Sequence, residues 1–144
     1  MHRATFATLP AVFATILALL TGCASDASQV EKITPAVIDT IPDSKLKQVT
    51  LTADAADRIK LVLGKIDAGE GSETVVPYGA VIYDPTGVAW AYVVKGDNVF
   101  IREELTIDRF DGDTAFLTAG PPVGTEVAIV GVAELFGAET GIGK

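Results

Sequence analysis

From Val75 onward the apolar residues recur with a period close to two, the spacing of half-buried strands. The stretch VVPYGAVIYD is rich in β-branched and aromatic residues, and DPTG (84–87) has Pro and Gly where a type I turn places them. VAWAYVV then puts Val88, Trp90, Tyr92 and Val94 on one face and Ala89, Ala91 and Val93 on the other, which predicts an antiparallel hairpin. Further strands are predicted in VFIREELTIDRF, TAFLT and TEVAIVGVA, separated by the turns KGDN and DGD and by the stiff loop AGPPVG. Upstream, Val49–Leu51 reads as a short strand and Thr52 as an N-cap, with Asp54 in the first turn. A helix of about two turns follows, carrying Ala53, Ala56, Ile59 and Lys60. LVLGKID leaves it as a strand, and AGEGSE is a flexible turn. Glu134–Ala138 predicts one helical turn before a frayed tail at 140–144. Residues 24–48 hold no period and read as mostly extended or irregular chain. The expected fold is all-β, with about six antiparallel strands and one short α-helix in a compact barrel-like or sandwich domain over 49–139.

The start of the chain has a different pattern. A short region with His2 and Arg3 precedes an apolar run from Ala4 to Leu20, the layout of a secretory signal over 1–22. The run ends in Leu20, Thr21, Gly22 and Cys23, which resembles a bacterial lipobox. That resemblance implies acylation of Cys23, an extracytoplasmic location and a polar tether over 23–48. The competing reading is an ordinary secretory signal with an incidental cysteine. Two or more acyl chains hold a protein stably on a membrane, at about 0.8 kcal/mol per buried methylene. Which membrane or leaflet holds the lipid is open.

Composition narrows the chemistry. The net charge of −8 argues against nucleic acid as a partner and against a polybasic grip on anionic lipid. His2 is the only histidine, Met1 the only methionine and Cys23 the only cysteine. Beyond the signal, histidine-based triads, Cys–His pairs and zinc sites built on His or Cys are therefore unavailable. No catalytic residue, metal or cofactor is expected, and the protein reads as a non-enzyme.

Several local features still invite chemistry. Asp108, Asp111 and Asp113 lack the alternating ligands and distal Glu of a calcium loop, so DGD reads as a turn. Glu103 and Glu104 are consecutive and face opposite sides of a strand, so a glycosidase pair would need another acid such as Asp84 or Asp108. Trp90 and Tyr92 share a face that is either core or, if exposed, a contact surface. Pro121 and Pro122, in the stiff loop, join them as candidate partner contacts.

Together, VTLTADAADRI, VVPYGAVIYDPTGVAWAYV and REELTIDRFDGDTAFLTAGPPVGTEVAIVGVAELFGAE resemble the membrane-proximal domain of periplasmic adaptor (membrane fusion) proteins. The order and spacing of these pieces, over roughly 49–139, carry the resemblance. In that family a helical hairpin, a lipoyl-like sandwich and a barrel lie between the first two pieces, whereas here only KLVLGKIDAGEGSET does. The resemblance implies a membrane-anchored interaction module accessory to a transporter. The alternatives are a ligand- or cell-wall-binding lipoprotein using its aromatics, a carboxylate-based hydrolase, and a folded remnant of a longer adaptor.

Overall fold

The computed structural model describes residues 34–71 and 73–142. The expected signal, Cys23 and the first part of the expected tether lie outside these residues. The chain forms β1 (Ala36–Thr40), β2 (Lys47–Leu51), α1 (Ala53–Arg58), β3 (Val62–Lys65) and β4 (Asp67–Ala68). It continues through β5 (Thr74–Pro77), a 3-10 turn (Tyr78–Ala80), β6 (Ile82–Tyr83), β7 (Ala89–Gly96) and β8 (Val99–Asp111). β9 (Thr114–Ala119), β10 (Glu126–Val130) and α2 (Val132–Thr140) complete it. Neighbouring strands follow the path β3-β10-β7-β8-β9-β5-β4, all antiparallel. Because β3 and β4 are successive in the chain, this path returns on itself as a nearly closed barrel, in agreement with the expected all-β class. β1 pairs with β2 and β2 with the first residues of β8, outside the closed path.

The alternation in β7 sorts its side chains as expected. Ala89, Ala91 and Val93 face the barrel interior with Ile66, Val76, Leu105, Leu117 and Val127. Tyr92 faces outward and joins Val49, Leu51, Phe100, Ala128 and Leu135 in a second cluster beneath the helices. Each face of β7 is therefore an interior, so neither hairpin face is left wholly to solvent.

The interior is narrow, and small residues make it so. Ala80, Ala91 and Ala115 are wholly buried there. Outside the interior, close approaches to β10 also require small residues: a Cβ built on Gly79 would stand 2.6 Å from the carbonyl oxygen of Ile129, and one on Gly64 2.8 Å from the Ile129 side chain. Turn residues likewise match their conformations. Gly112 opens the DGD turn at φ 55°, a left-handed position that glycine takes without steric cost. The DPTG turn closes through Gly87 N–H donating to the Asp84 carbonyl at 2.9 Å.

Three boundaries differ from the sequence reading. The sheet reaches back to Ala36, so the boundary set at Val49 falls inside β2, and part of the expected tether is strand. The extended register Ala36↔Leu51 to Thr40↔Lys47 gives β1 backbone partners that a single-chain periodicity does not reveal. Thr52 caps α1 as expected, its Oγ1 accepting the Ala55 N–H at 3.2 Å, but the helix ends at Arg58. Ile59 is its C-cap and Lys60 turns left-handed at φ 51°, outside the helix. The last helix is nine residues rather than one turn, bounded by left-handed Gly131 and Gly141. Thr140 belongs to it rather than to a frayed tail.

Replacing Gly79 by alanine should destabilise the fold by about 1–3 kcal/mol, because the close neighbour is backbone and cannot rotate away. Chemical denaturation of Gly79→Ala beside the wild type measures this, and equal midpoints would contradict so tight an approach.

Candidate functional site

The densest polar cluster lies on the outer face of the barrel, between β7, β8 and α2. Tyr92 and Arg102 are directly opposite across the β7–β8 ladder, so both side chains leave the sheet on one side. α2 lays Val132, Leu135 and Glu139 toward them, the i, i+3, i+7 stripe of a core-facing helix. Its last member is a carboxylate, 3 % exposed.

Glu139 is held from several directions. Its Oε2 accepts the Tyr92 hydroxyl at 2.6 Å. Its Oε1 lies 3.1 Å from Arg102 Nε, an ion pair by distance. Even so, Arg102 Nε is buried without a hydrogen bond, so the two groups are near but out of line. Lys47 Nζ donates to the Glu139 backbone carbonyl at 3.2 Å, satisfying one of the last carbonyls of the helix. Burial, then the hydrogen bond to Glu139, holds the Tyr92 phenol far above the usual tyrosine range. Tyr92 thus stays protonated and acts as a donor.

Arg102 is also stacked. Its guanidinium carbon sits 4.6 Å above the Trp90 ring and 5.8 Å from that of Phe136. Trp90 is fixed in turn by its indole N–H, which donates to Asp84 Oδ2 at 3.1 Å. The other oxygen of Asp84 accepts from the Thr86 hydroxyl at 2.6 Å, the Thr86 N–H at 2.8 Å and the Val88 N–H at 3.1 Å. Led by the Thr86 side chain, these donors bring the Asp84 carboxyl down to about 2. The polar groups of this cluster are thus largely spent on one another, which fastens α2 and the DPTG turn to the sheet.

A second charged group lies where β8 pairs with β9. Arg109 forks onto both oxygens of Glu73 at 2.6 and 3.2 Å, touches Asp108 at 3.1 Å and stacks 3.8 Å from the Phe116 ring. The hydrogen bond from Arg109 lowers the Glu73 carboxyl. These groups are exposed, so their pairing contributes little to stability. Nearby, Tyr78 and Phe110 meet edge to face with ring centres 5.4 Å apart, and both are exposed.

The sequence candidates fare unequally. Leu20, Thr21, Gly22 and Cys23 lie outside the described residues. Tyr92 has no exposed surface and Pro121 is buried. Tyr92 is covered because α2 seats Glu139 on its hydroxyl. Trp90 is half-buried beneath Arg102, and Pro122 alone of the four is exposed. Glu103 pairs with Lys95 at 2.6 Å and leaves the strand on the side opposite Glu104. Asp111 ends β8 and Asp113 lies in the hairpin turn, and among the described residues no group of three or more His, Cys, Asp or Glu is placed to hold a metal. Glu139 and Arg102 were missed. The spacing from Val132 through Leu135 to Glu139 was the available signal.

The fold and this cluster define a small all-β domain, a nearly closed antiparallel barrel with a helix pinned on its outer face. No protein-family model, curated protein or solved structure matches the chain.

Removing one member of a buried pair typically costs about 3–5 kcal/mol, and Glu139→Ala should fall near the lower end because Arg102 keeps some solvent contact. Tyr92→Phe should cost about 1.5–3 kcal/mol, the worth of a hydrogen bond to a charged group. Urea unfolding of both variants measures this, and losses below the range for ordinary surface changes would show the network to be idle.

Asp84 gives a pH dependence of definite sign. Its folded value is depressed, so the stabilisation is complete above its ordinary value near 4 and is lost as pH falls through about 2. An NMR titration should place the Asp84 carboxyl near that value, with the Trp90 indole proton shifting in step. Asp84→Asn should flatten the stability profile in the same window.

Proposed function

We propose that this chain is a non-enzymatic, lipid-anchored extracytoplasmic interaction module, related in plan to the membrane-proximal domain of periplasmic adaptor proteins. The acylated Cys23 confines the domain to a membrane surface, and the chain between them acts as a tether. Confinement raises the effective concentration of the domain toward a membrane partner without any added contact. The partner that suits this plan is an embedded transporter, with another envelope component as the alternative. That choice rests on analogy of plan rather than on a site.

The observation that carries the reading is where the chain passes from α1 to β5. The pieces VTLTADAADRI and VVPYGAV, which resemble separated parts of an adaptor, belong here to one fold. β3 and β4 join them directly and close the barrel. A stand-alone membrane-proximal domain needs such a short closing strand in place of the inserted domains. The absence of histidine and cysteine beyond Cys23 supports the non-enzymatic half of the proposal. A ligand-binding lipoprotein built on Trp90 and Tyr92 draws no support from the geometry, since Arg102 and α2 cover those rings.

Crosslinking in native membranes followed by mass spectrometry tests the proposal, together with metabolic labelling by a fatty-acid analogue. The chain should take up the label at Cys23 and crosslink to a transporter or channel, and Cys23→Ser should lose both signals. Absence of acylation would remove the anchor. Acylation with crosslinks to envelope glycan alone, or to nothing, would leave a binding lipoprotein or a remnant.

A further inference from the structure

We propose that α2 is a latch, a helix that lifts from the outer face of the barrel as a unit while the barrel stays closed. The inference is independent of any partner and of the lipid anchor.

Three separate observations carry it. First, the two apolar clusters divide the labour. The barrel interior draws no side chain from α2, so removing the helix leaves every contact among Ile66, Val76, Val93, Leu105, Leu117 and Val127 in place. α2 contributes only to the outer cluster, chiefly through Val132 and Leu135. A helix that packs on only one of two clusters can open sub-globally while the other cluster stays intact.

Second, the helix hangs from a glycine hinge. Gly131 is left-handed at φ 88° and provides no side-chain cap, so the chain turns there from β10 into α2. A Cβ at this point would stand 2.9 Å from Ile59 Cδ1, which reserves the position for glycine. No strand follows α2 among the described residues, so its movement drags no sheet pairing with it.

Third, the far end adds polar fastenings to the apolar packing of Phe136 and Ala138. Glu139 reaches Tyr92 and the ion-pair edge of Arg102, and Lys47 grips its carbonyl. One of these contacts is imperfect, since Arg102 Nε lies buried without a hydrogen bond. Water can replace every polar partner on opening, which it cannot do for an apolar anchor. Lifting α2 would uncover Tyr92 and one side of the Arg102–Trp90 stack.

Native-state hydrogen exchange on the full chain tests the latch. The amides of Leu135 and Phe136 should open more readily than those of Val93, Leu105 and Leu117, with a shallower dependence on denaturant. Glu139→Gln should speed exchange across α2 by about tenfold or more while the barrel amides change little. Trp90 is the only tryptophan, so its quenching by acrylamide should rise in parallel. Gly131→Ala, which disturbs the hinge and leaves Glu139 intact, should give the same selective signature. Equal protection of α2 and barrel amides in the wild type would overturn the proposal. So would a loss of protection in Glu139→Gln spread evenly over barrel and helix, because α2 would then be part of one cooperative unit.

Discussion

Ile66 stands where the barrel closes, and most of the architecture depends on it. Its N–H donates to the Thr125 carbonyl at 2.9 Å and its own carbonyl accepts from Gly124 at 2.7 Å. Immediately before it, Lys65 pairs with Glu126 of β10, and immediately after it, Asp67 pairs with Val75 of β5. Its side chain is wholly buried among the interior residues. One residue therefore passes the chain from its pairing with β10 to its pairing with β5 and fills the space between them. Without that crossing β4 would not reach β5, which would then be an edge with unpaired backbone groups open to other chains.

Closure with so few strands leaves little room inside, and this constraint sets the outer layer. The interior accepts alanines at positions 80, 89, 91 and 115, but no aromatic ring. The large rings that the strands carry for sheet propensity, Tyr92 and Phe100, must then lie on the outside of the barrel. Rings placed there need a cover. α1, the β1–β2 hairpin and α2 supply it, which is why a domain with one barrel has two cores. β8 links them: its thirteen residues give Phe100 to the outer cluster and Leu105 to the inner one.

The legible part of this plan was the part written in local chemistry. Alternation in 88–94 assigned both faces of β7, Thr52 announced its helix, and the glycines at 87 and 112 marked their turns. The closed path was less legible, because closure depends on which distant strands meet at Ile66, and no local pattern contains that. β1 was hidden for the same reason, as its five residues become a strand only beside β2. Glu139 was hidden by its charge. An acid near the chain end reads as solvated, and only its register with Val132 and Leu135 places it inward. Trp90 and Tyr92 illustrate the limit of face assignment: the shared face was legible, but what covers it was not.

A charged residue in the buried stripe of α2 needs a physical reason, since an apolar side chain of similar size would pack there without desolvating a carboxylate. Register supplies one. Val132 and Leu135 bury apolar surface and would tolerate a modest rotation of the helix. Glu139 does not, because only one rotation brings its two oxygens between the hydroxyl of Tyr92 and the guanidinium of Arg102. A slip of one residue would bring Ala138 or Thr140 to that place and leave Arg102 buried beside no counter-charge. The requirement is passed along the face, since Arg102 lies over Trp90 and Trp90 is tied to Asp84. The DPTG turn at one edge of β7 and the helix that ends the fold are thus placed by one chain of polar contacts. A carboxylate anchor of this kind selects a single seat for α2 while leaving water able to compete for it.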